Sequence, residues 1–103
     1  MLGGHVVIRK PEIKVLEYSD KSLEIEIIGE GHTLCNLIVD YLLRDPEVYF
    51  AHYRIDHPLT GIPKLYLRTR NEDPLTVLRR VIRKISDDLD NLAKEWEREL
   101  GRL

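Results

Sequence analysis

The residues with chemical potential are few and clustered. Gly29-Glu30-Gly31 precedes His32-Thr33-Leu34-Cys35, and His52 and His57 follow within 22 residues of Cys35. Two glycines between a strand pattern and a helix pattern could cradle a phosphate. A dinucleotide fingerprint, however, needs a third glycine where Leu34 stands, and a P-loop needs a Lys followed by Ser or Thr at the helix start. The glycines serve more simply to let the chain turn with positive φ. His32-x-x-Cys35 with His52 and His57 loosely imitates a two-plus-two zinc set. Cys35 falls on the apolar arc of the helix that follows, and His52 falls on a strand face opposite to Tyr53, so the four would not converge; Cys35 reads as a small core residue. Ser19, Ser22 and Ser86 have no neighbouring base to activate them. Arg79, Arg80, Arg83 and Lys84 make a basic patch that could meet phosphate, but Asp87, Asp88 and Asp90 follow directly and intrahelical ion pairing accounts for it. Asp87 and Asp88 are expected on the solvated side of that helix. No catalytic residue, metal site or cofactor is expected.

The elements that must position these residues alternate in a regular order. Residues 12–18 and 22–28 are β-rich around the Ser19-Asp20-Lys21 turn and read as a hairpin, with Leu23, Ile25 and Ile27 inward and Glu24 and Glu26 outward. Residues 48–56 and 64–70 form a second pair, with Tyr49, Ala51, Tyr53 and Ile55 expected inward and continued by Leu65 and Leu67. Such alternation favours an antiparallel sheet covered on one side. A helix from about 33 to 44 separates the pairs, and a second starts at Asp73-Pro74 and runs towards Gly101. The fold expected is α+β and two-layered: a four-stranded, mainly antiparallel sheet with two helices on one face, in the order β-β-α-β-β-α.

Both helices carry too much apolar surface for one sheet. In the first, Leu34, Cys35, Leu37, Ile38, Val39, Tyr41, Leu42 and Leu43 sweep roughly 240° of the circumference, leaving Asn36, Asp40 and Arg44 as a narrow polar stripe. In the second, Leu78, Ile82, Ile85, Leu89, Leu92 and Trp96 recur at alternating spacings of four and three, a heptad-type seam. That helix is about 40 Å long, whereas four strands make a sheet only about 20 Å wide. Its C-terminal half must overhang, and an overhanging apolar seam needs a partner.

Composition agrees with a folded chain. The 103 residues are 43% hydrophobic and 33% charged with a formal net charge of −2, which gives no general attraction to nucleic acid or to an anionic membrane. Cys35 is the sole cysteine, so no internal disulfide forms and the cytoplasm is the expected compartment. Met1–Ile8 lacks the apolar run of a signal peptide, Leu2 stands where myristoylation needs glycine, and no 18 consecutive residues are apolar. One domain is expected over 1–103, with a core from 12 to 100 and a short N-terminal extension, 1–11.

The stretches EGHTLCNLIVDYLL and VYFAHYRIDHPLTGIPKLYLRT together resemble the family of archaeal RNA polymerase subunit L, related to the eleventh subunit of eukaryotic RNA polymerase II and to the N-terminal domain of the bacterial α subunit. Its specific parts are Glu30, His32-Thr33-Leu34, Asn36-Leu37 and His57-Pro58-Leu59. Many relatives have glycine where Cys35 stands here, a departure that touches local packing only. The resemblance implies a non-catalytic subunit that heterodimerises, through its helices, with the polymerase's other α-like chain, the D subunit. The pair forms a platform for the large catalytic subunits and small assembly subunits, reaching DNA only through the complex and having no membrane role. The resemblance places Leu34, Leu37, Ile38, Tyr41, Leu42, Leu78, Ile82, Ile85, Leu89, Leu92 and Trp96 in or beside the dimer contact, some of them necessarily turned towards the chain's own sheet. It also sets His32, Thr33, Asn36, His57, Pro58 and Leu59 near a large-subunit contact. Two other classes stay open: a nucleic-acid module using Arg79 to Lys84, and a small homodimeric enzyme or binding protein with a pocket containing His32 or Cys35.

Overall fold

The computed structural model describes residues 12–29, 32–56 and 61–103. The elements are β1 (Glu12–Tyr18), β2 (Ser22–Ile28), α1 (His32–Arg44), β3 (Val48–Ile55), β4 (Pro63–Thr69) and α2 (Pro74–Leu100). All neighbouring strands pair antiparallel in the order β1-β2-β4-β3, so the two hairpins join through β2 and β4. Gly29, which closes β2, has φ of 94°, a backbone state that a side chain would strain.

Alternation sets the core. Leu23, Ile25 and Ile27 of β2 and Leu65 and Leu67 of β4 are buried on one face. On the other face Glu24, Arg54, Asp56 and Lys64 are tied by ion pairs beside a cluster of Phe50, His52 and Tyr66 rings. β3 departs from the expected alternation: Tyr49, predicted inward, is exposed, and Val48 is buried in its place. The cause is a register shift between Val48 and Phe50, which leaves Tyr49 as the extra residue of a bulge, while Ala51 remains buried opposite Leu67. A second shift, between Val15 and Glu17, lies in the edge strand β1.

Both helices lie on the apolar face, α1 over β3 and β4, α2 over β4 and β2. Cys35, Ile38 and Leu42 of α1 and Pro74, Val77, Leu78, Val81 and Ile85 of α2 close the core. The start of α2 is fixed three times over. Asp73 caps it by accepting the Thr76 amide at 3.1 Å, the Glu47 carboxylate accepts the Asn71 and Glu72 amides at 3.0 and 2.9 Å, and Arg80 forks onto Asp45 at 3.0 and 3.1 Å. Tyr41 donates to Asp88 at 2.7 Å, and Lys84 donates to the other oxygen of the same carboxylate at 2.9 Å. Asp88 is thus a link between the helices, and the expectation that it sits on a purely solvated side is corrected. The last core residue of α2 is Ile85; the 15 residues from Ser86 to Leu100 project about 22 Å beyond it.

Candidate partner interface

The structure divides the seam of α2 into two parts. Leu78 and Ile85 face the chain's own sheet, whereas Ile82, Leu89, Leu92 and Trp96 are 43, 53, 56 and 63% exposed. The reason is geometric: Ile82 lies on the flank of a sheet-facing stripe made by Val77, Leu78, Val81 and Ile85, and Leu89, Leu92 and Trp96 lie beyond Ile85, the last core residue. Leu100 continues the exposed row at 50%. Of the α1 residues expected in the contact, Ile38 and Leu42 are buried in the chain's own core and drop out as free surface, while Leu34, Leu37 and Tyr41 are partly buried against that core. Leu43 stands exposed. Thr33 and Asn36 are exposed on the first turns of α1; the side chain of His32 and the residues His57, Pro58 and Leu59 lie outside the described residues.

The exposed row has a continuation on the sheet that the helix patterns do not reveal. Ile13 and Val15 pair directly with Ile27 and Ile25, so they share the apolar face of the sheet. Neither helix reaches far enough to cover them, and they are 63 and 57% exposed. Between β1 and α2 runs an open groove of about 490 Å³ lined by Ile13, Val15, Leu75, Leu78 and Ile82, with Arg79, Arg83 and Ser86 on its helix rim. The signal that could have found it is the alternation of Ile13 and Val15 with Lys14, read against the number of helices available to cover four strands.

The basic patch is split up. Arg80 is committed to Asp45 and Glu72, which hold its guanidinium strongly protonated, and Lys84 is committed to Asp88. Asp45 is correspondingly held below the usual carboxylate range, chiefly by Arg80. Lys84–Asp88 is an intrahelical pair of the kind expected from sequence, whereas the partners of Arg80 lie outside that expectation, because Asp45 and Glu72 come from the α1–β3 and β4–α2 connections. Among the described residues no three His, Cys, Asp or Glu side chains gather to hold a metal ion. Cys35 is fully buried and does not line the groove. No described helix is long and apolar enough to cross a membrane. What this surface can do is bind another apolar surface.

Residues 22–95 match the family described as the RNA polymerase Rpb3/Rpb11 dimerisation domain. The chain belongs to that family. Among relatives of the Rpb3/Rpb11 domain, it is 40% identical over 84 residues to DNA-directed RNA polymerase subunit Rpo11 of Archaeoglobus fulgidus, covering 82% of this chain and 98% of that one. It is 44% identical over 93 residues to the subunit of the same name from Methanocaldococcus jannaschii, covering 82 and 94%. The crystal structure of DNA-directed RNA polymerase subunit L from Thermoplasma acidophilum superposes with a TM-score of 0.81 at 28% identity, over 91% of this chain and 93% of that one. The β-β-α-β-β-α arrangement is therefore that of subunit L.

Proposed function

We propose that this chain is a non-catalytic assembly subunit of an archaeal DNA-directed RNA polymerase, which pairs with the D subunit to make the α-like platform for the large catalytic subunits. The observation that carries the reading is the exposed row Ile82, Leu89, Leu92 and Trp96, continued beyond the sheet. Fully burying such a side chain contributes about 1.5–3 kcal/mol; these four are about half exposed and contribute about half of that each, so the row offsets part of an association cost of about 4–15 kcal/mol. Leu34, Leu37, Tyr41 and Leu43 extend the same contact on α1. Thr33 and Asn36, with His32, His57, Pro58 and Leu59, are assigned to a large-subunit contact, and DNA is reached only through the assembled complex inside the cell. The whole chain acts as one folded unit in this role.

The test is capture by the polymerase's D subunit. Leu89→Asp or Trp96→Asp should abolish heterodimer formation in a pull-down, and wild-type affinity in either variant would overturn the reading. The splitting of the basic patch and the burial of Cys35 both favour this function over a nucleic-acid module or an enzyme.

A further inference from the structure

On its β1-facing flank α2 presents a stripe at spacings of four and three: Arg79, Arg83, Ser86, Asp90, Ala93, Glu97. The first three line the groove, and helical periodicity carries the stripe onward beside Leu89 and Trp96. Its charges change sign along its length, basic over the sheet and acidic on the overhang. Among the described residues none of the four charged members makes an ion pair, although Lys84, Arg98 and Arg102 all pair with residues one turn away. Such a stripe repels a parallel copy of itself and complements an antiparallel one. The apolar row has the same property, since Leu89 stands midway between Ile82 and Trp96.

We infer that, in the absence of its heterologous partner, the chain forms a two-fold symmetric homodimer in which each overhanging helix lays Leu92 and Trp96 into the other copy's β1–α2 groove while Leu89 meets its own counterpart. Arg79 and Arg83 of one copy then meet Asp90 and Glu97 of the other, and the axis passes beside Leu89. The contact is isologous, so each groove is filled by the segment that its own chain cannot fold back to fill. This rests on the reading of α2 as an interface helix. It adds that self-association occupies the surface used for polymerase assembly, so the homodimer and the heterodimer exclude each other.

Sedimentation of the full chain alone tests this, using Arg79→Glu/Arg83→Glu, whose stripe is wholly acidic, and Asp90→Arg/Glu97→Arg, whose stripe is wholly basic. The wild type should sediment as a dimer, each variant alone as a monomer with the dimer constant raised about a hundredfold, and an equimolar mixture of the two as a dimer again. A monomeric wild type, variants that dimerise as the wild type does, or a mixture that stays monomeric would each overturn the inference. Should a variant fail to fold, oxidation of Leu89→Cys decides: an intermolecular disulfide in high yield supports the axis at Leu89, and its absence refutes it. A monomer that still captures the D subunit counts against this inference alone. A homodimer of this form that the D subunit cannot dissociate counts against the proposed function alone.

Discussion

At the scale of single residues, the most consequential charge is Asp45. Its carboxylate is largely covered and accepts both arms of the Arg80 fork, which lowers its affinity for protons in the folded state. A carboxylate whose folded pKa lies below its unfolded value of about 3.9 contributes fully above that pH, and the contribution is lost as pH falls through the folded value. Asp45→Asn should therefore destabilise the chain by about 1 kcal/mol at neutral pH and flatten the acid limb of its stability curve below about pH 4, checked by urea melts at several pH values. A stability difference that persists unchanged below about pH 2 would contradict this. Cys35 makes the opposite case, a residue whose chemistry is suppressed by place. Being fully buried, it should react with a disulfide-exchange reagent only in denaturant, with rates that track unfolding. Its core position was legible in the periodicity of α1, whereas the exposure of Tyr49 was not. A bulge inverts every side chain on one side of it, and nothing in the local residue types of Val48-Tyr49-Phe50 specifies where the extra residue falls.

At the scale of elements, α2 shows how one helix serves two surfaces. Its N-cap is local chemistry: Asp73 accepts from both the amide and the hydroxyl of Thr76 at 3.1 Å, and Pro74 fixes the first helical φ. Asp73→Ala should cost about 1 kcal/mol, read as a drop in the thermal midpoint of about 4–8 °C. The helix lays Val77, Val81 and Ile85 on the sheet, leaves Ile82 on the flank of that stripe, and carries Leu89 and Leu92 past the last core residue, where they stand exposed. A heptad line in the sequence marks where apolar surface lies on a helix but does not say which flank meets the sheet. That division is seen only in the packing, where the core stripe ends at Ile85 and the Arg80–Asp45 fork and the Glu47 carboxylate tie the start of α2 to the rest of the fold.

At the scale of the whole molecule, two layers only 17 Å thick and 50 Å long leave much of the apolar surface open. The overhang contributes nothing to the core, so at dilutions where the chain is monomeric Leu89→Asp and Trp96→Asp should melt within about 0.5 kcal/mol of the wild type even though they abolish pairing. A large loss of stability would mean that the row is folded back in solution. Trp96, the sole tryptophan, is itself the reporter. At dilutions where the chain is monomeric, its emission should be that of a water-exposed indole and shift to the blue when the D subunit is added, with no shift in Leu89→Asp.

The sequence by itself determined the order of elements, the antiparallel sheet, the cap and length of α2 and the surplus of apolar helix surface, because these follow from periodicities of two and of 3.6 residues and from local turn chemistry. Only the tertiary structure decided which of Leu78, Ile82, Ile85 and Leu89 faces inward, where β3 bulges, and that β1 stands uncovered beside α2 to form the groove. Those outcomes depend on how far two helices of fixed width can reach across four strands, a competition for area among distant segments that no local pattern encodes.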